Sequence, residues 1–267
     1  MGGTLQRLVD QKHDVHVAYE TSGNIAVGDE DMMRYFLMMD RIAPMFGFET
    51  ESYKKLSADL HEFVANKTPG EIDTKDIREI KTMIRQAEAT IACTYIGVKC
   101  DHIHFLRLPF YETGTIKKGD LGERDVNIVK NLIESVKPHQ IFVAGDLADP
   151  HGTHRVCTDA VLAAIDELKG EEWMKDCRIW MYRGAWAEWE IDHIEMAVPM
   201  SPEQLRSKRN SILKHQSQME NAPFLGDDDR LFWQRAEERN RATAVLYQNL
   251  GLASYEAMEA FVEYHPL

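Results

Sequence analysis

The sequence has no apolar run near the ~20 residues that cross a bilayer, and its first residues lack the cationic and apolar regions of a signal peptide. A membrane span and a secretory route are not expected, and the cytoplasm is the expected compartment. Positive charge is scarce: 31 Lys and Arg stand against 44 Asp and Glu, a formal net charge of −13. Such a chain repels phosphate backbones and anionic headgroups, so neither nucleic acid nor a membrane surface is an expected partner. Cysteine is sparse as well. Cys93, Cys100, Cys157 and Cys177 show no CxxC spacing and read as free thiols of a reducing compartment. The opening Met1-Gly2-Gly3 has the glycine of a myristoylation signal but Gln6 where Ser or Thr is wanted. No linker and no internal repeat divide the chain, which reads as one domain over 1–267. One more absence concerns topology: no strand precedes the first helical run, although an α/β fold normally carries its first helix in on a strand. The domain is expected to lack that first strand.

What is there alternates. Helical patterns at Thr4–Gln11, Asp29–Phe46, Lys54–Asn66, Thr74–Ala92, Glu123–Val136 and His154–Leu168 interleave with strand patterns at Asp14–Glu20, His102–Leu108, Gln140–Ala144 and Arg178–Tyr182. Asp73 is the candidate N-cap of the fourth helical run. The order predicts a Rossmann-like α/β fold, a mostly parallel sheet with helices on both faces. Two long helical runs, Pro202–Met219 and Asp229–Leu250, predict a helical C-terminal third.

The densest polar cluster is Asp146-Leu147-Ala148-Asp149-Pro150-His151-Gly152-Thr153-His154, where a buried strand passes into a helix. In open parallel sheets ligands bind off the carboxyl ends of strands, so this loop faces the expected crevice. His151 and His154 are three apart and share a side if both lie in a first helical turn. With Asp146 and Asp149 they suit Zn²⁺ or acid/base work. Equally, the stretch reads as a capping loop with no metal, Thr153 at the N-cap and Asp149 in an Asx turn. His13 and His16 repeat the H-x-x-H spacing, but on a strand residues three apart point to opposite faces, which argues against a shared metal. His102 and His104 share a strand face and read as ordinary half-buried residues. Thr21, Ser22 and Asn24 follow the strand pattern Asp14–Glu20 and offer hydroxyl and amide groups to a sugar, or form a plain turn. Arg107 and Arg155 meet an anionic substrate or pair with local carboxylates. Trp180, Tyr182, Trp186 and Trp189 read mainly as packing, and Gly226–Arg230 as an acidic helix start rather than a Ca²⁺ loop.

The string Phe142-Val143-Ala144-Gly145-Asp146, then Asp149-Pro150-His151-Gly152-Thr153-His154, resembles the second motif of the PIG-L/LmbE family of zinc-dependent N-acetylglucosaminyl deacetylases. His215-Gln216-Ser217-Gln218 is similar to that family's H-x-S-Q element, and Met1-Gly2-Gly3-Thr4-Leu5 to the start of its first helix. The resemblance is nearest to the deacetylase-like C-terminal half of bacterial glucosamine-6-phosphate deaminase-like proteins, where an aminosugar isomerase/deaminase domain comes first. It implies Zn²⁺ as cofactor and an N-acetylated amino sugar as substrate. It also implies His154 as a metal ligand, His151 as the group that polarises the amide or protonates the amine, Asp146 or Asp149 as orienting groups, and His215 near the site. The family's His-Pro-Asp-Asp motif, source of two further ligands and the general base, is absent from this sequence. A non-catalytic sugar-binding or assembly module, in a protein labelled after a neighbouring deaminase domain, is the alternative.

Overall fold

A computed structural model describes residues 1–145, 152–184, 187–219 and 230–265. Helix α1 (Gly2–Asp10) leads to strand β1 (Val17–Tyr19), and three helices follow: α2 (Asp29–Phe46), α3 (Glu51–Asn66) and α4 (Lys75–Tyr95). Strand β2 (Ile103–Phe105) precedes α5 (Glu123–Val136), β3 (Gln140–Ala144), α6 (Thr153–Leu168) and β4 (Arg178–Tyr182). The last third holds β5 (Met196–Met200), α7 (Pro202–Ile212), α8 (Phe232–Asn249) and β6 (Ala257–Glu263). Among the described residues no helix is long and apolar enough to cross a membrane.

The fold is α/β, as the alternation predicts, but the sheet is divided. β1 pairs with β2 in parallel, Val17 opposite Ile103 and Tyr19 opposite Phe105. A second sheet runs β3-β4-β6-β5, with β3 and β4 parallel and both pairings of β6 antiparallel. The two antiparallel strands are absent from the sequence reading, and each conceals itself for a physical reason. β5 carries Pro199, which argues against a strand unless it lies at an edge, where β5 does lie. In β6 the first five residues, Ala257 to Phe261, are all buried, so no polar alternation marks the strand.

The main core packs Val126, Val129 and Ile133 of α5 and Ala160, Ala164, Ile165 and Leu168 of α6 against Val143 and Ile179. The β1–β2 pair lays Val17, Tyr19, Ile103 and Phe105 on Cys93, Ile96 and Val98, with Leu5 and Val9 of α1 closing the cluster. Charge joins the helical layer. Thr74, not Asp73, caps α4, its hydroxyl accepting from the Ile77 amide at 3.3 Å. Asp73 instead takes Lys67 at 2.6 Å and Lys81 at 2.7 Å, and both lysines also hold Asp29 at the start of α2. On the far side Glu259 of β6, 3% exposed, accepts from the Thr4 amide at 2.7 Å, the Thr4 hydroxyl at 2.7 Å and Lys208 Nζ at 2.6 Å. Lys208 donates at 2.6 Å to Asn240 Oδ1 as well, so α1, α7, α8 and β6 meet at one buried ion pair.

A candidate crevice at the carboxyl end of β1

The chain leaves β1 at Glu20 and turns through Thr21–Asn24. Gly23 has φ +66°, and a Cβ there would stand 3.0 Å from Arg85 Nε, so the turn needs glycine for both conformation and close approach. Ser22 and Asn24 are each 3% exposed, and Asn24 Nδ2 donates to Thr82 Oγ1 at 3.4 Å. Arg85 reaches in from α4 and donates through Nη1 to Glu88 at 2.9 Å. Glu88 also accepts from the Ser217 amide at 2.7 Å and its hydroxyl at 2.8 Å, which pins the short helical turn Gln216–Gln218 onto α4. Gln218 Nε2 then donates to the Ala26 carbonyl at 2.9 Å, closing the turn over the same crevice.

Electrostatics follow from enclosure. Burial pushes Glu20 up to about 8, with only a hydrogen bond to Cys157 opposing it, so the carboxyl holds its proton at neutral pH. Burial, helped by the Arg85 charge, lowers His215 to about 4 and keeps the imidazole neutral. Tyr111 and Tyr182 are pushed up to about 12, again by burial first. Four side-chain atoms here, Glu20 Oε2, Ser22 Oγ, Arg85 Nε and His215 Nδ1, are enclosed without a hydrogen-bond partner among the described residues. Buried polar atoms are nearly always satisfied, so each of these atoms calls for a partner beyond the described residues.

Of the residues read from the sequence, Thr21, Ser22 and Asn24 line this turn, Thr21 half-buried. His154 is exposed on the first turn of α6, behind Gly152 at φ +69°. Asp146, Asp149 and His151 lie outside the described residues, as do Trp186 and the run 226–229. Arg107, at φ +50°, gives its guanidinium to Glu79 at 2.8 and 2.9 Å and to Glu112 at 3.2 Å. Arg155 stands 4.0 Å from Asp159. Trp180 is buried, and Trp189 lies under Arg183 with its Nε1 donating to the Met181 carbonyl at 3.2 Å. His215 is not on a long helix: α7 stops at Ile212, and His215 caps the turn that follows. Glu20, Arg85, Glu88 and Ser217 were not singled out from the sequence. Arg85 and Glu88 did leave a trace, as two charges three apart on a helix whose neighbours Ile84 and Ala89 are apolar.

A catalytic zinc takes about three protein ligands. Among the described residues the resemblance implies one ligand, His154, and a single histidine does not fit such an ion by itself. The described group that brings three potential ligands together is Asp14, His16 and His102, at the opposite end of β1.

The α/β layering agrees with what comparison with known proteins shows. The chain belongs to the GlcNAc-PI de-N-acetylase family, PIG-L, whose model matches residues 1–165. It is therefore of a deacetylase-type hydrolase class. A glucosamine-6-phosphate deaminase-like protein of Bacteroides thetaiotaomicron is 64% identical over 270 residues, a match covering 100% of this chain and 41% of that protein. The chain thus spans about two fifths of the length of this curated relative. Among solved structures, the 4-carboxy-2-hydroxymuconate hydratase of Pseudomonas putida KT2440 superposes with a TM-score of 0.59 at 13% identity, covering 100% of this chain and 90% of that one. The N,N'-diacetylchitobiose deacetylase of Pyrococcus horikoshii gives 0.55 at 15% identity, covering 99% and 78%. Likeness at such identities is likeness of fold.

Proposed function

We propose that this chain is the N-deacetylase part of a longer aminosugar-handling protein and that it hydrolyses the acetamide of a glucosamine derivative with the help of zinc. The observation that supports this reading is that Glu20 Oε2, Ser22 Oγ, Arg85 Nε and His215 Nδ1 are enclosed without a hydrogen-bond partner among the described residues. A sugar ring offers hydroxyls that both donate and accept. A protonated Glu20 and the Arg85 Nε donate to such hydroxyls, the neutral His215 accepts or donates, and the Ser22 hydroxyl does either. In this reading Thr21, Ser22 and Asn24 position the sugar. Arg85 takes the role the sequence offered to Arg107, whose guanidinium is already engaged by Glu79 and Glu112. His154 would be a metal ligand, His151 the group facing the amide oxygen or the departing amine, and Asp146 or Asp149 a group orienting a histidine. When bound, the metal would supply an activated water.

Release of free amine and acetate from N-acetylglucosamine and its phosphate, by the full-length protein, tests the proposal. Turnover that falls at least about 100-fold in His154→Ala is expected, the order of loss on removing a group the chemistry depends on. Sugar binding with no acetate released would overturn it and favour the second reading, a non-catalytic sugar-binding module. The specific observation on that side is that the described residues include one of the metal ligands the resemblance implies, not three.

A further inference from the structure

The amino-terminal end of the β1–β2 pair carries a cluster that the crevice does not use. In the parallel register Val17 faces Ile103 and Ala18 faces His104, so His16 falls opposite His102. All three histidines therefore lie on one face of the pair, away from the apolar face that packs on Cys93 and Ile96. The His16 ring stacks on His102 at 4.0 Å with 8° between planes, and lies 5.2 Å from His104. His16 Nδ1 and His104 Nε2 share a hydrogen bond of 2.9 Å, which requires one ring to donate and the other to present a lone pair. Asp14 stands beside both partners, 3.6 Å from His16 Nε2 and 3.4 Å from His102 Nδ1. The other charged groups in reach are Lys99, 3.6 Å from Asp14, and Asp101, 3.9 Å from His102 Nε2.

We propose that Asp14, His16 and His102 form a binding site for a divalent late transition-metal ion such as Zn²⁺, with His104 orienting His16 through their shared hydrogen bond. The separations argue for it. At 3.4 and 3.6 Å the carboxylate is too far from either ring for a good hydrogen bond. Two ligands on a tetrahedral zinc at ~2.1 Å from the ion are ~3.4 Å apart, which is the spacing found. One ligand atom from each of the three residues lies within 4.8 Å of the others. Two imidazoles with one carboxylate are borderline donors that favour Zn²⁺, Ni²⁺ or Cu²⁺ over Mg²⁺ or Ca²⁺. Ligation through His102 Nδ1 replaces its 3.2 Å contact with the Val15 carbonyl. Closing on one ion needs the two rings to open from their stack by rotation about χ2, a soft torsion for histidine.

The position gives the ion a role. It would tie the segment entering β1 to the Cys100–His102 turn entering β2, where the two strands pair over three residues each. This site is separate from the crevice, since Asp14–His16 and Glu20–Asn24 sit at opposite ends of β1.

The test is zinc titration of the full chain after removal of metal by chelation, followed by calorimetry and, with Co²⁺ as a probe, by visible absorption. One equivalent of zinc is expected to bind the His154→Ala protein, and to raise its melting temperature by about 5 °C at a hundredfold excess over Kd. His16→Asn and His102→Asn should each weaken that binding at least tenfold, and His13→Asn, an exposed neighbour outside the cluster, should leave it unchanged. Should the histidine variants fold poorly, Asp14→Asn carries the test, because its side chain is 71% exposed and its loss should spare the fold. Zinc affinity equal in wild type, His16→Asn and Asp14→Asn, or no zinc bound by the His154→Ala protein, would overturn the proposal.

Discussion

Glu259 and Glu20 are glutamates of one chain, each with an enclosed carboxylate and each at a strand, and the fold treats them in opposite ways. Glu259 meets Lys208, the Thr4 amide and the Thr4 hydroxyl. Burial pushes its pKa upward, but the Lys208 charge and these hydrogen bonds override it and hold the group well below the usual carboxylate range. Glu20 has a thiol for company and one oxygen without a partner, and rises to about 8. The first arrangement consumes every lone pair in holding four elements together. The second leaves hydrogen-bonding capacity unspent among the described residues, a condition in which a buried group can serve a ligand rather than the fold.

The largest effect that would break this contrast is expected at Lys208. Lys208→Met leaves the Glu259 carboxylate buried without its cation and should cost about 3–5 kcal/mol in urea denaturation, whereas Glu20→Gln should cost nothing comparable. A Lys208→Met/Glu259→Gln double variant that recovers part of the loss would localise it to the uncompensated charge.

Acid and base sharpen the same contrast through opposite signs. Glu20 has a folded pKa near 8 against ~4.3 for an unperturbed glutamate. Between those values the folded chain keeps a proton that the unfolded chain has released, so stability should fall as pH rises through that window. Glu259, lowered on folding, contributes stability that is present above its unfolded pKa and lost as pH falls through its folded one. Melting temperatures across pH 5 to 8 should therefore decline more steeply in wild type than in Glu20→Gln. Equal slopes would remove Glu20 from the account.

Smaller effects separate groups that serve a ligand from groups that serve the fold. Ser22→Ala should weaken sugar binding by about tenfold, one hydrogen bond to an enclosed group, with little change in melting temperature. Arg107→Ala should lower stability by less than about 1 kcal/mol, since the Glu79 pair is 36% and 47% exposed, and should leave sugar binding unchanged. Loss of binding in Arg107→Ala but not in an Arg85 variant would reverse the assignment between the two arginines.

Much was legible before any coordinates. Repeating hydrophobic positions mark α2, α4, α5 and α6, because helix burial has a period that a single chain displays by itself. The short apolar runs of β3 and β4 show for the same reason, and the family resemblance rests on side-chain order around His151 and His154. Strands β5 and β6 were not legible: Pro199 and an unbroken run of buried residues erase the alternation that marks a strand. The helical pattern through Met219 runs past the end of α7 at Ile212, and beyond it Glu88 holds Ser217 in a separate turn, a contact across 129 positions.

The sequence by itself determined which segments bury a face, how charge is distributed and which residue types stand where β3 meets α6. Those are local properties, written in periodicity and spacing. The tertiary structure alone decided which side chains share a space. His16 meets His102 and His104 through the register of two strands 86 residues apart, and Arg85 and Glu88 meet Ser217 across separate elements. Neither meeting leaves a mark on local order, because strand register and helix docking are set by the burial of apolar faces and not by the polar groups those faces carry along.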